Sequence, residues 1–585
     1  MSRRNDPITT EVIRNAYNAI ADDMNAVIAR SAYSPIIYEA HDYGIAIFDA
    51  KARLLGQYAG LPLFTGGLDA GLKATIRKYG MENLKDGDVF TINDSYMTGG
   101  HLNDVDVIGV VATDGVIDGF LCLRAHWADI GTAEPGFPVN SRNIFQEGMR
   151  WGPTLIMRQG QWVQDVIDLL CINSRLPKTL MGDLKAMIAA LRLGSERMKW
   201  LTRRFGRETL EEATSAIFAA TDAKFRAFIS SIPDGTYVAE GCSDNDGVTD
   251  DPVQVKVTVT IKGDHMTVDT TGSSKQRPGN LNTGFPNTVS AVRLALALLY
   301  PDAEPDINDG SFRAIDVIAE PGSIFHAQEP APCMRPHPVM LMIDLIIKAL
   351  APVLPEHVAA GLPGDSWNVF IIGEHPDTGR PFMSGEALDG GWGASSRGDG
   401  ASCVIHSAAG DFRNIPVETL ENRVPVRINR MQFGVDSGGA GQFRGGLNLV
   451  KEYELLADAA ITLHFDRAKT PQWGLFGGHA GASPKVTVIT SDAPEGTIVR
   501  KVEQLKLKAG DRFICETGGG GGYGDPRKRP AHLVEEDLLN GSISAEAART
   551  VYGYSIGQAA ATSVEETVRQ PARKSGRKSD LQPAQ

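Results

Sequence analysis

The sequence has no CxxC pair, no GxxxxGK[ST] string, no excess of basic residues and no apolar run long enough to cross a bilayer. Each absence excludes something. The six cysteines, at 122, 171, 242, 333, 403 and 515, stand too far apart for a zinc ribbon or a thioredoxin-like redox pair. Isolated in this way they read as buried small hydrophobes in a reducing compartment. A formal net charge of -13 repels nucleic acid and anionic membrane, so neither is expected as a partner. Without a P-loop the chain carries no recognisable nucleotide cradle. Ser34 and Ser141 have no nucleophile elbow around them, which removes serine-hydrolase chemistry. The first residues, MSRRNDP, run into a helical pattern with no apolar signal core, and the expected location is cytoplasmic.

What is present is ordinary for a globular protein: 42% hydrophobic and 22% charged residues over 585 positions, enough for several domains with substantial cores. Ile13, Ala16, Ile20, Met24 and Val27 recur at helical spacing after Pro7, with Thr10 as the expected N-cap and Ser34-Pro35 as the stop. Strands are predicted over Gly44–Asp49, Asp88–Asn93, Val105–Ala112 and Ile117–Arg124, the last two joined at Asp114-Gly115, a strong hairpin signal. Leu180–Phe205 reads as a helix whose Met residues pack in the core. Val253–Ile261 alternates as a half-buried strand, and Ser290–Leu299 and Val339–Leu350 read as buried helices. From Gly390 the chain is Gly-rich and strand-like, with turns expected at Gly438-Gly439, Gly445-Gly446 and Gly477-Gly478; Ala531–Leu539 reads as a closing helix.

The expectation is a multi-domain α+β protein of mixed, largely antiparallel sheets with packed helices and a β-rich C-terminal region. Its expected parts are an α+β region over 1–232 that carries the site, a second over 233–389, a Gly-rich β region over 390–529, closing helices over 530–560 and a disordered polar tail over 561–585.

Chemistry concentrates in Gly99-Gly100-His101-Leu102-Asn103-Asp104 and Arg124-Ala125-His126-Trp127-Ala128-Asp129, in a chain with only 12 His. The two stretches flank the hairpin. A two-residue turn at 114–115 sets His126 across from Asn103, and a three-residue loop at 114–116 sets it across from Asp104. Either leaves Asp104 beside His126, and cross-strand Cβ atoms about 5 Å apart can share one ion. Mixed imidazole and carboxylate ligation suits Zn, Mn or Fe(II) better than Ca or Mg. Glu39, His41 and Asp42, just before a predicted strand, are further candidates.

Other features read as structural. Gly518–Gly522 lacks the rest of a P-loop and is expected to be a tight turn at a close backbone approach. Arg335-Pro336-His337-Pro338 reads as a proline-fixed loop, with a channel lining as the alternative. Glu418 and Glu421 read as surface or interface charges, and Cys122 as buried packing. Trp127, Phe137 and Trp151 are expected to line an apolar chamber.

The strings EAHDYGIAIFD (39–49), NDSYMTGGHLNDV (93–105), RAHWADIG (124–131), IFQEGMRWGP (144–153), NIPVETLENRVP (414–425) and GGGGYGDP (519–526), in this order, resemble the hydantoinase B/oxoprolinase family, from about Pro7 to Tyr552. That family includes subunits of N-methylhydantoinases, oxoprolinases, caprolactamase and acetone and acetophenone carboxylases. The resemblance implies a divalent metal on His101, Asp104 and His126 with one acidic ligand from Glu39–Asp42, Asp42 ahead of Glu39. The chain reads EAHD where hydantoinase members often read ERxD. Asp129 is expected to orient a ligand, and Glu39 or Asp129 to move the proton. The resemblance further implies that ATP is used on a partner of the hydantoinase A type in a hetero-oligomer. The expected reaction is hydrolysis of a cyclic amide (a hydantoin, 5-oxoproline or a lactam) through an intermediate phosphorylated on that partner. Carboxylation of a ketone, and a scaffold with a structural metal, are the alternatives.

Overall fold

The computed structural model describes residues 6–555, apart from 59, 134–136, 303–305 and 336. The expected disordered tail lies outside the described residues. The chain is a multi-domain α+β protein built on four sheets.

The first sheet has seven antiparallel strands, in the order Leu54–Tyr58, Tyr43–Asp49, Val116–His126, Asp104–Thr113, Val89–Ile92, Thr154–Arg158, Gln161–Trp162. Its central strands are apolar on both faces, and side chains alternate between two cores. Ile45, Ile47, Val105, Val107, Leu121 and Leu123 meet the long helices Pro7–Ser31 and Pro177–Phe205. Ala46, Phe48, Ile108, Val110, Phe120 and Cys122 meet the helix Leu68–Tyr79. Burial on both sides explains why these strands carry few charged residues, and why any charge in them has a special reason to be there. Cys122, Cys333 and Cys515 are buried as expected, whereas Cys171, Cys242 and Cys403 are only partly covered; all six are free thiols.

The first helix starts earlier than the sequence suggests. Asp6, not Thr10, is the N-cap: its carboxylate accepts from Ile8 N and Thr9 N. Pro7 at the first helical position fixes φ and has no N–H to satisfy, so the helix begins there and Thr10 falls inside it.

A second sheet pairs Gly235–Ser243, Val253–Lys262 and His265–Asp269 antiparallel, with Ile315–Ile318 parallel to the last. The strand Val253–Lys262 buries every second residue. Its apolar face packs on the helices Phe285–Leu299 and Pro338–Leu350, the latter buried nearly all round.

The last two sheets share one core of Val369, Ile371, Tyr453, Leu463, Val486 and Phe513. The strands Asn368–Glu374 and Pro381–Ala387 lie before residue 390, yet they join a sheet completed by Ala459–His464 and Lys501–Leu507.

Gly518–Gly522 is not a turn. It is a straight segment threaded through the middle of the C-terminal region. Gly519 N and Gly522 N donate to Ala482 O and His479 O of one neighbour, Gly520 N to Gly446 O of a second and Gly521 N to Gly361 O of a third. Bonds that return to the same neighbour every third residue are the signature of a polyproline-II-like helix of three residues per turn. Such packing leaves no room for side chains: a Cβ on Gly520 would lie 1.9 Å from Trp392 O. Gly439 and Gly446 belong to the same web, donating to Gly520 O and Trp392 O.

Candidate metal centre

The hairpin fixes the site by a route that neither expected register described alone. The turn has two residues, Asp114 and Gly115, both in the left-handed region at φ 52 and 74, as a type I′ turn requires. Thr113 pairs with Val116 and Ala112 with Ile117, but Val111 pairs with Gly119. Asp118 is the extra residue of a bulge. Beyond it the register has advanced by one, and Asp104 faces His126. The bulge is held by Thr113 Oγ1 and Arg207 Nε, which donate to the Asp118 carboxylate.

His101 reaches the same place from the loop that follows the short helix Ser95–Thr98. Its N–H donates to Asp104 Oδ2 at 3.1 Å. Gly100 allows this fold-back, since a Cβ there would lie 2.7 Å from Asp104 Oδ2. His101 Nε2 lies 3.3 Å, and His126 Nδ1 3.6 Å, from Asp104 Oδ1. One ligand atom from each of His101, Asp104 and His126 falls within 4.8 Å of the others. Asp42 stands at the edge, its Oδ2 4.0 Å from His126 Nδ1.

These groups lack ordinary partners. Asp104 Oδ1, His126 Nδ1 and His101 Nδ1 are buried with no hydrogen bond within the chain. Burial pushes the Asp104 carboxyl up to about 8 against the pull of Arg124. It pushes Asp42 up to about 7, with His126 opposing and Asp104 adding to the rise. Burial also lowers both imidazoles, His101 well below its usual range. Two carboxyls and two imidazoles crowded without a counter-charge form an unfavourable arrangement. A divalent cation resolves it, and the two-nitrogen, two-oxygen donor set fits one. Arg124 does not serve, because it is spent on Asp106 through Nε at 2.5 Å and Nη2 at 3.0 Å.

The two residues expected to move protons are elsewhere. Asp129 accepts from Arg175 Nη1 at 2.8 Å, from Arg175 N and from Ser174 Oγ. It anchors the entry to the helix Pro177–Phe205 and touches no ligand. Glu39 sits at the C-terminal end of the short helix Pro35–Tyr38 and is not among the residues around the cavity. His41 is turned to Asp411, 3.0 Å from its Oδ2. Of the EAHD stretch only Asp42 enters.

The cavity, of about 120 Å³, is bounded by Asp42, His101, Asp104, His126, Phe137 and His337, with an otherwise largely apolar wall. A second cavity of about 340 Å³ adjoins it and shares His126, Phe137 and Phe370. Phe137 packs on both ligand imidazoles, 4.8 Å from the His101 ring and 5.2 Å from that of His126. Trp127 and Trp151 instead pack on each other, 6.2 Å apart, in the core and away from the cavity. His337, Ser366 and Asn368 also face the cavity. Sequence reasoning singled out the segment around His337 but set it aside as a proline-fixed loop, and nothing in the sequence marked Ser366 or Asn368.

The family model described as Hydantoinase B/oxoprolinase matches residues 6–526. One component of a putative D-/L-hydantoinase from Pseudomonas sp. (strain NS671) is 31% identical, over 94% of this chain and 95% of its own. The crystal structure of an ATP-dependent caprolactamase from Pseudomonas jessenii superposes with a TM-score of 0.87 at 28% identity, over 95% of this chain and 99% of that one. A nucleotide-free acetone carboxylase structure superposes with a TM-score of 0.84 over 97% of this chain and 83% of its own, at 19% identity, a likeness of fold alone. With its family model running through hairpin, site and C-terminal web alike, the chain belongs to the hydantoinase B/oxoprolinase family.

Proposed function

We propose that this chain is the metal-binding subunit of an ATP-dependent cyclic amide hydrolase acting on a hydantoin, 5-oxoproline or a lactam. The observation that carries the reading is the convergence of His101, Asp104 and His126, with Asp42 beside them, on one buried cavity, where Asp104 Oδ1, His126 Nδ1 and His101 Nδ1 lack hydrogen-bond partners. Those four residues would hold the ion, Zn or Mn ahead of Fe. A divalent ion there supplies Lewis acidity and lowers the pKa of water towards neutrality.

The chain's own residues do the rest. Phe137 and Phe370, whose rings lie 4.9 Å apart, form an apolar boundary between the two cavities, with His126 open to both. A ring amide is a poor electrophile, because its nitrogen donates into the carbonyl. Phosphorylation of the carbonyl oxygen would remove that resistance. ATP chemistry falls to a partner subunit, since the sequence has no P-loop, the hydantoinase relative is one component of its enzyme and the caprolactamase is an ATP-dependent enzyme.

The test is to purify the chain with its partner and measure ATP turnover and ring opening across hydantoins, 5-oxoproline, lactams and simple ketones. Ring opening without bicarbonate is expected. ATP use that depends strictly on bicarbonate, with no ring opened, would replace this reading with a ketone carboxylase.

A further inference from the structure

The cavity needs a group that takes and returns a proton, and the two residues that the sequence nominated do not reach it. We propose that His337, held by Asp365, is that group, its Nε2 facing the space beside His101, Asp104 and His126. This rests on the hydrolase reading above.

Three observations carry it. The first is position. His337, Ser366 and Asn368 border the same cavity as Asp42 and the three ligands. Residues 333–335 are fastened in turn: Glu147 accepts from Cys333 N at 2.8 Å and Met334 N at 3.0 Å, and Arg335 N donates to Asn280 O at 2.9 Å. Pro338 then opens the helix Pro338–Leu350.

The second is the tautomer. His337 Nδ1 lies 2.6 Å from Asp365 Oδ1 and 3.1 Å from Arg335 Nη2. A carboxylate only accepts and a guanidinium only donates, so Nδ1 satisfies one of them. The shorter contact places the proton on Nδ1, donated to Asp365. Asp365 is itself fixed, since its Oδ2 accepts from Asp466 N at 2.7 Å and its Oδ1 from Ser366 N at 2.9 Å. Burial alone would raise its carboxyl, but His337, Arg335 and the Asp466 N–H overcome that and hold it at about 2.

The third is the free lone pair. Nε2, bare in this tautomer, has Ser366 Oγ as its neighbour at 3.4 Å, a long contact. That hydroxyl donates instead to Asn368 Oδ1 at 3.1 Å. Nε2 is therefore an acceptor without a proper donor, in a cavity built for water and substrate. Burial and the neighbouring Arg335 guanidinium keep the imidazole neutral. Arg335 is wholly buried, with Nε and Nη1 lacking acceptors among the described residues, and its charge is opposed by Asp365 and Asp466.

The step balances. Water gives one proton to Nε2 as its oxygen bonds to the ring carbon of the O-phosphorylated amide, and the carbon–nitrogen π electrons pass to nitrogen. The carbon–nitrogen bond then breaks; the nitrogen takes the proton from Nε2 and the added water's second proton and leaves as the amine, the carbon remaining as an acyl phosphate that a second water hydrolyses to carboxylate and inorganic phosphate. The pair ends as it began, and Asp365 keeps the ring in the required tautomer throughout.

The test uses the chain complexed with its partner, carrying His337→Gln or Asp365→Asn. Each is expected to lower kcat for ring opening by about 100-fold or more, with KM and bound metal little changed. A readout independent of turnover is nitrogen NMR of the histidine side chains in the lone wild-type chain at neutral pH. The signal absent from His337→Gln, or displaced in Asp365→Asn should the first variant not fold, is expected to show Nδ1–H with Nε2 bare. An Nε2–H or doubly protonated ring, or wild-type kcat in His337→Gln, overturns the dyad. If the wild-type complex opens no ring at all, the hydrolase reading falls, while the tautomer still decides whether His337 is poised as an acceptor.

Discussion

Asp104 and Asp106 stand two positions apart on one strand, both buried, and only one has a counter-charge. Arg124 sits across from Asp106 in the ladder and neutralises it. Two pairs further along, Asp104 meets His126, and neither finds such a partner among the described residues. A buried carboxylate beside a buried arginine is structural, whereas one beside two unpaired imidazoles awaits an ion. Asp129 makes the contrast from the other side, since its oxygens are taken by Arg175 and Ser174. His101→Ala is therefore expected to lower bound divalent metal at least about tenfold with the fold retained, and Asp129→Asn to keep its metal while losing about 2 kcal/mol of stability. Elemental analysis beside thermal melting checks both. Equal metal content in wild type and His101→Ala would remove the assignment.

At the scale of elements, two local devices do what residue patterns alone do not announce. The bulge at Asp118 converts a two-residue turn into the pairing that brings Asp104 and His126 together. It is legible only once Arg207, from the start of a distant helix, is seen to hold Asp118. The glycine web is the other device. Gly518–Gly522 reads as a turn because glycine-rich runs usually are turns. Its three-fold pattern of donors is imposed by neighbouring segments that the sequence does not show to be adjacent. Gly520→Ala would drive a methyl into Trp392 O. The expected cost is at least about 3 kcal/mol, a fall in Tm of roughly 5–10 °C. A variant that melts with the wild type would show that the web yields, contrary to its packing.

At the scale of the whole molecule, the site is assembled across the chain. The first sheet supplies His126 and Asp104, the loop before it His101, the start of the buried helix His337, and the sheet completed by the C-terminal strands Asn368 and Phe370. Among the described residues no helix is long and apolar enough to cross a membrane. In the glycine-rich run, Gly519, Gly520, Gly521 and Gly522 spend their N–H groups on backbone carbonyls, so those four have none to offer a nucleotide. The lone chain is accordingly expected to bind ATP negligibly in titration calorimetry. Micromolar binding would relocate the ATP chemistry to this subunit.

The sequence by itself determined the fold class, the hairpin, most long helices and the three residues at the heart of the site. Those depend on local periodicity and on His and Asp placed within a few positions of one turn, which the ladder then brings together. The tertiary structure decided the rest. Asp42 enters while Glu39 does not, because the direction of a side chain after a tight loop depends on what the loop packs against. The Asp129 carboxylate is taken by Arg175, a residue 46 positions away. His337 gains its tautomer from Asp365, 28 positions further on. A carboxylate's role is set by which charge it meets in the folded chain, and long-range meetings of that kind leave no spacing in the sequence to be read.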